Sequence, residues 1–398
     1  MIVLSLLLGL IAVVLLLPSA SDLLSLAKIA TGRRRPGSSP PAGERPRLLF
    51  LVPAHNEELF IESCVRSLVD MRYPATRYRV VVIADNCTDR TAALARMAGV
   101  ECLERHDPAF PGKPQAIAWA LEQLPRGEYD AVAVVDADVV VDPEFAEGLA
   151  AAGSLQDRAV QPYNDVRNPT DSAVTRMASV LAAARYRGSF LLKRSVGLNT
   201  PLSAGMCVGS RVLAVHGWRA FSIGEDWEWY AMLAAHGVPS DYARDAHLYA
   251  QEARSLRQGA SQRRRWMAGK LTVLCRRGPD IARSTAIGLH QKLDALAELA
   301  APGPAVHLGL VTLLGALALA TPLPGGAILA SGLVASLVRP VTYALVGLAT
   351  DPEPLRALAA FAFLPIYTIW RMGAAAGALR MLGDSPWIRT ERHQRERP

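Results

Sequence analysis

The sequence predicts an α/β domain on a mostly parallel sheet with helices on both faces, joined to transmembrane helices at both ends of the chain. Three observations predict it. Val/Ile/Leu-rich runs alternate with helix-like runs, acidic residues stand where those apolar runs stop, and the longest apolar stretches are confined to the two ends. Near-continuous apolar strands mark a sheet buried on both faces. Ligands of such sheets bind beyond the carboxyl ends of the strands.

The size and make-up agree. A chain of 398 residues, 51% of them hydrophobic, has room for one such domain beside membrane segments and is too apolar for extensive disorder. The net charge is +7, and the arginines bunch at Arg33, Arg34 and Arg35 and again over residues 389–397, where they suit anionic lipid headgroups. A nucleic-acid partner is not expected, because the basic residues form no stripe interleaved with aromatics inside the domain. The five cysteines are scattered without C-x-x-C spacing, which favours reduced thiols in a cytosolic domain.

Taken in order, residues 1–30 are expected to be a transmembrane anchor. A cleaved signal peptide ending near Ser19, Ala20 and Ser21 would need a basic start, and the charge instead comes after the segment, at Lys28 and the three arginines. The positive-inside rule then puts the N-terminus outside and the domain after the anchor in the cytoplasm. The apolar run is short of the ~20 residues a perpendicular span needs, so the helix should continue towards Ala27 with Asp22 near the interface. Residues 31–46, rich in Arg, Pro, Gly and Ser, read as a linker. The folded domain is expected over 47–280, with strands at 48–52, 79–84 and 131–135, each leading into a helix, at 59–69, 88–98 and 143–151. Residues 281–301 carry His290, Lys292, Asp294 and Glu298 among apolar residues, the pattern of an interfacial amphipathic helix. Residues 302–381 hold apolar stretches at about 305–320, 327–349 and 355–379, enough for two to three spans. Arg339-Pro340 interrupts the second and Arg356, Arg371 and Arg380 punctuate the third. A basic tail closes the chain over 382–398. Three spans would carry that tail outside, against the positive-inside rule, so either one stretch is interfacial or re-entrant, or the tail breaks the rule.

Six clusters carry chemistry. In Pro53-Ala54-His55-Asn56-Glu57, Asn56 and Glu57 could grip a nucleoside edge, or Asn56 could cap the next helix. Asp85, at the end of the second strand, should face the crevice and accept hydrogen bonds from a base or ribose, while Thr88 and Asp89 look like helix-start residues. Asp136-Ala137-Asp138 brings two carboxylates so close that they repel unless a cation or hydrogen bonds intervene. On a strand they would share a face, and their oxygens suit Mg2+ or Mn2+. Lys113, in Gly112-Lys113-Pro114, lacks P-loop spacing; it is either a point charge for a phosphate or a solvated surface lysine.

Glu225-Asp226 opens a helix-like stretch containing Trp227 and Trp229. Acidic residues there serve the helix dipole, or one is a base reaching an acceptor hydroxyl beside an aromatic surface for a sugar. Gln262-x-x-Arg265-Trp266 lies in a helix expected over 255–275, where positions i, i+3 and i+4 share one face. That face offers an amide, a planar cation for a diphosphate and an aromatic platform. Arg263 and Arg264 should point elsewhere, towards lipid.

In their order along the chain these motifs resemble membrane-bound family 2 glycosyltransferases, the group of bacterial cellulose, chitin and hyaluronan synthases, over roughly residues 47–277. The resemblance implies a GT-A type fold. It implies donor contacts from Asn56, Glu57, Asp85, Lys113, Asp136 and Arg265, with Asp85 at the base, and a diphosphate-bound Mg2+ or Mn2+ on Asp138. Asp226 is then the catalytic base. Glu225, Gln262, Trp266 and Gly205 fall on the acceptor side, Gly205 because residues 203–211 lie where relatives have a small-residue acceptor segment. Trp387-Ile388-Arg389-Thr390-Glu391-Arg392 looks like the W-x-x-T-x-R tail of some relatives. Gly224 stands where the synthases usually have Thr, and Asn86-Cys87 replaces their Asp-x-Ser/Gly pattern, departures that bear on the particular polymer and not on the reaction class.

The implied function is inverting transfer of a sugar from a nucleotide-diphosphate donor, UDP-linked, to a saccharide or lipid acceptor, forming a β-glycosidic bond. The enzyme would be multi-pass in the inner (cytoplasmic) membrane with its catalytic domain facing the cytoplasm. Transfer of a single sugar to a lipid is one alternative, and a tethered nucleotide-sugar binding module without turnover is another. A dinucleotide oxidoreductase is excluded by the lack of G-x-G-x-x-G after the first strand.

Overall fold

The structure, a computed structural model, describes residues 1–35, 45–125 and 127–383. It divides into two compact units, one formed by Pro36–Arg167 and Gly197–Glu252, the other by Met1–Arg35, Asn168–Val196 and Ala253–Thr390. Residues 168–196 and 253–280, expected within a continuous 47–280 domain, therefore cluster with the apolar helices. Most of the expected linker (36–44), the basic tail from 384 onward and the tryptophan-bearing motif at 387–392 lie outside the described residues.

Among the described residues the first unit, here the sheet unit, is built on eight strands: β1 (Leu48–Ala54), β2 (Tyr78–Asp85), β3 (Glu101–Arg105), β4 (Ala131–Val134), β5 (Val139–Val141), β6 (Ala159–Val166), β7 (Cys207–Gly209) and β8 (Ser240–Ala250). Their order across the sheet is β3-β2-β1-β4-β7-β6-β8-β5. The half containing β3, β2, β1 and β4 is parallel throughout. Beyond β4 the sheet is mixed: β7 runs antiparallel to both β4 and β6, β5 antiparallel to β8, and only β6 and β8 pair in parallel. The expectation of a mostly parallel sheet thus describes one half of it.

Burial on both faces explains the parallel half. Leu48, Phe50 and Val52 of β1 pack with Ile61, Cys64, Val65 and Leu68, the apolar stripe of the Ile61–Val69 helix. Their neighbours Leu49 and Leu51, which point to the opposite face, are buried as well, and the Lys113–Gln123 helix packs on β1 and β2. Fully burying each such side chain contributes about 1.5–3 kcal/mol. The charged edge strand β3, Glu-Cys-Leu-Glu-Arg, has the composition that discourages pairing with another chain.

In the second, helical unit, three helices among the described residues are long and apolar enough to cross a membrane: Ile2–Ala30, Gly326–Ala349 and Pro354–Met381. Leu289–Ala300 and Pro304–Ala320 would make a further span, bent by 81° at the break between them. The expected interfacial helix over 281–301 is not one element. The Leu256–Arg283 helix runs through its start, and the next helix, Leu289–Ala300, buries Asp294 instead of presenting it to water. Asp294 accepts hydrogen bonds from Lys193 Nζ at 2.6 Å on both oxygens and from the Ser21 hydroxyl at 2.8 Å. Arg339, expected to interrupt a span, pairs with Asp22 of the first helix at 2.8 Å, and Tyr343 donates to the same carboxylate oxygen at 2.8 Å.

Candidate active site

The loops at the carboxyl ends of β1, β2 and β3 are laced in series by asparagine side chains. Asn56 after β1 and Asn86 after β2 both hold left-handed backbone, at φ 55° and 50°, a conformation asparagine tolerates better than most residues. Asn56 Oδ1 accepts the Thr88 N–H at 2.7 Å, and Asn86 Oδ1 accepts the Asp107 N–H at 2.8 Å. Asn56 is therefore a clasp between neighbouring loops; the cap position of the Ile61–Val69 helix belongs to Phe60. Glu57, in the same turn, donates its N–H to Thr91 Oγ1 at 2.8 Å.

Asp85 is not the open crevice carboxylate expected. It is 3% exposed, its Oδ1 accepting from Arg105 Nη1 at 2.6 Å and its Oδ2 from the Gly112 N–H at 3.0 Å. Gly112, at φ 118° where a side chain would be strained, caps the helix whose first residue is Lys113. Asp85 thereby anchors the launch point of Lys113. Arg105, which the sequence did not single out, also donates to Asp107 Oδ2 at 2.7 Å and to the Phe110 carbonyl at 2.9 Å. Its only mark in the sequence is an arginine closing a charged strand, and nothing in composition announces its burial.

Three predicted residues from distant parts of the chain meet at one point. Lys113 Nζ lies 2.7 Å from Asp136 Oδ1 and 2.9 Å from Glu225 Oε1, with the side chains 26%, 34% and 14% exposed. Burial works to lower the Lys113 pKa, but the two carboxylates outweigh it and hold the ammonium above its ordinary range. Lys113 is therefore a bound charge, not a solvated surface lysine.

The strand argument for the aspartate pair needs correction. β4 ends at Val134, and the Val139 N–H bonds the Asp136 carbonyl at 3.2 Å, so Asp136 and Asp138 occupy a turn between β4 and β5. They share that turn, both partly exposed, and not a strand face. Among the described residues no three His, Cys, Asp or Glu side chains are placed to hold a metal by themselves. Two aspartates in one turn do fit a divalent ion that completes its shell with diphosphate oxygens and water, as Mg2+ commonly does.

Glu225 and Asp226 open the Glu225–Ala235 helix, with Glu228 behind them, where carboxylates complement the positive end of the helix dipole. Asp226 is partly exposed, and its Oδ1 accepts the Trp227 N–H at 2.8 Å. Glu228 Oε2 accepts the Ser222 N–H and ties down the preceding loop. Trp229 is not a sugar platform: it is fully buried, its ring 5.2 Å from that of Trp218. Trp227 is partly exposed and meets Tyr230 edge-on.

Gly205 is a backbone requirement. At φ 77° its N–H bonds the Val134 carbonyl at 2.8 Å, and a Cβ there would come within 2.2 Å of Leu248 and 2.8 Å of Pro162. It fixes the end of β4, two residues before Asp136. Gln161, fully buried and also unforeseen, holds the same segment by accepting the Ser203 N–H at 2.6 Å.

Gln262, Arg265 and Trp266 belong to the helical unit, on the Leu256–Arg283 helix. Trp266 is 44% exposed, and Arg263 stacks its guanidinium 4.5 Å over that ring, so Arg263 does not point elsewhere. The Arg264 stem lies against Gly377 of the Leu364–Ala378 helix.

The family described as glycosyltransferase-like family 2 matches residues 46–269. The protein named Probable glycosyltransferase YdaM of Bacillus subtilis (strain 168) is 24% identical over 249 residues, which are 58% of this chain and 57% of that protein. A β-monoglucosyldiacylglycerol synthase of Synechocystis sp. is 28% identical over 230 residues, 54% of this chain and 47% of that one. The chain thus spans about half the length of these curated relatives. Among solved structures, the mannosyltransferase PcManGT from Pyrobaculum calidifontis, in complex with GDP-Man and Mn2+, superposes with a TM-score of 0.56 at 21% identity, covering 91% of this chain and 99% of that one. That likeness is one of fold, the GT-A type of mixed α/β sheet. With more than half of its length matched, the chain belongs to glycosyltransferase family 2.

Proposed function

We propose that the protein is an inverting transferase of the Q-x-x-R-W group that moves a sugar from a UDP-linked donor to a saccharide or lipid acceptor at the inner membrane, forming a β-linkage. One observation carries the reading. Lys113, at the start of a helix, touches both Asp136 of the aspartate turn and Glu225, the neighbour of Asp226, which supports a donor side and an acceptor side that adjoin. Asp226 takes the proton of the acceptor hydroxyl as that oxygen attacks the anomeric carbon, and the bond from carbon to diphosphate breaks with inversion. Asp136 and Asp138 would hold a divalent cation, which when bound would offset charge on the departing phosphates. Lys113 supplies further positive charge. The apolar helices carry the chain in the membrane, with the sheet unit facing the cytoplasm.

A lipid acceptor receiving one sugar is the second reading, and the lipid-glucosylating relative matched over 54% of this chain favours it. Detergent-purified protein with native lipid extract, Mn2+ or Mg2+ and a panel of labelled UDP-sugars separates the two, since long products select a synthase and one labelled lipid selects the alternative. In the same assay Asp226→Asn should keep donor binding while transfer falls by about a hundredfold or more. Undiminished transfer by that variant removes Asp226 as the base.

A further inference from the structure

The reaction above uses Asp136 and Lys113 for the donor, and the two are also joined to each other. We propose that Lys113 is a resident counter-ion that keeps a divalent cation off the aspartate turn until a nucleotide diphosphate arrives, so that metal and donor load together. The inference rests on the transferase reading.

Charge balance carries it. One ammonium with three N–H donors holds Asp136 at 2.7 Å and Glu225 at 2.9 Å, and the trio sums to a single negative charge. A dication arriving alone at Asp136 meets an ammonium already hydrogen-bonded to its ligand. A diphosphate arriving alone meets two carboxylates. When both come, the ammonium turns to the diphosphate, a charge-assisted partner with more acceptor oxygens, and the released Asp136 takes the ion together with Asp138 of the same turn. Each step that would leave like charges adjacent is thereby paired with one that removes them.

The scaffold suits such a swing. Asp85 ties the Gly112 N–H at 3.0 Å, and Arg105 braces Asp85, so the backbone that launches Lys113 is fixed from beneath. The movable part is the four-carbon stem, 26% exposed. Departure of Lys113 also frees Glu225, the residue before Asp226, so loading is felt beside the base. The coupling is reciprocal: whatever nucleotide does for metal affinity, metal does equally for nucleotide affinity.

The test is binding, not turnover. Mn2+ binding to the detergent-purified full chain is followed by the loss of the free-ion paramagnetic resonance signal, and labelled UDP and GDP are followed by equilibrium dialysis with and without Mn2+. Wild type should bind Mn2+ weakly alone, and nucleotide should tighten it about tenfold or more. Lys113→Met should bind Mn2+ alone about tenfold more tightly than wild type and show coupling below about threefold. Lys113→Arg, which retains the charge, should behave as wild type, and Lys113→Gln supplies the same reading as Met if Met does not fold. Unchanged Mn2+ affinity and intact coupling in the neutral variants overturn the counter-ion role while leaving the transferase reading in place. Failure of every protein to retain UDP or GDP with Mn2+ present overturns the transferase reading itself.

Discussion

Two clusters of opposite charges sit in this chain, and they are built to different ends. In the helical unit, Lys193 is 2% exposed and Asp294 4%, with both carboxylate oxygens at 2.6 Å from the ammonium, Ser21 completing the set and Glu298 3.4 Å away. In the sheet unit, Lys113, Asp136 and Glu225 stay partly open, sum to one negative charge and stand next in sequence to further acidic residues. The first cluster is closed and holds helices together. The second is open, as the proposed exchange of its partners for a ligand requires. What separates structural from functional charge here is access and unfinished neutralisation, since the distances are nearly the same.

That contrast is broken most directly by Lys193→Met. Leaving Asp294 charged and buried should cost about 3–5 kcal/mol, read as a large fall in melting temperature in detergent, and Lys193→Met with Asp294→Leu should restore most of it. If the single variant melts like wild type, the buried cluster is not structural. Next in size is Asp85→Asn, because within the sheet unit Asp85 and Arg105 form a closed pair at 5% and 6% side-chain exposure. Losing this charge-assisted bond should cost about 1.5–3 kcal/mol and weaken UDP retention through Lys113. Gly205→Ala should cost about 1–3 kcal/mol through its positive φ, with the added clash against Leu248 acting in the same direction. Asp136→Asn should change stability by less than about 1 kcal/mol, as exposed pairs do, yet lower Mn2+-dependent nucleotide binding at least tenfold. A stability loss comparable to that of Lys193→Met would erase the distinction.

A pH dependence sharpens the comparison further. Burial pushes Lys270 of the helical unit down to about 8, Glu298 opposing and Arg185, Arg339 and Lys193 adding to the depression. Unfolded lysine titrates near ~10.4. Between these values the unfolded chain binds more protons than the folded one, so stability should rise as pH climbs from about 8 to about 10. Lys270→Met should flatten that rise in a melting series. Lys113 is displaced the other way, burial opposing and its two carboxylate partners prevailing.

How much of this was legible in the sequence depends on range. Strands β1, β2 and β4 announced themselves because both of their faces are buried, leaving unbroken apolar runs. Strands β5 and β7, three residues each, are too short for any period to show, and they carry the antiparallel half of the sheet. Residues at the strand ends stand out because the fold class says where ligands go. Their partners do not, because periodicity reports which face a side chain occupies and says nothing about what comes to meet it from a hundred residues away. So the sequence leaves Lys113 between two roles, gives Asp85 an opening it lacks, and offers no sign of Arg105. Trp229 escapes for a related reason: an aromatic early in a helix has the same signature whether it faces solvent or the core.

The opening helix, Ile2–Ala30, donates Ser21 to Asp294 and offers Asp22 to Arg339 and Tyr343, so it is a working member of the helical unit and not a detachable leash. Anyone trimming the chain after Ala30 to obtain a simpler preparation would strip an acidic partner from a half-buried arginine and a hydroxyl from a buried aspartate, and should expect a protein that aggregates on extraction. Production should therefore begin at Met1, with affinity handles kept away from that end.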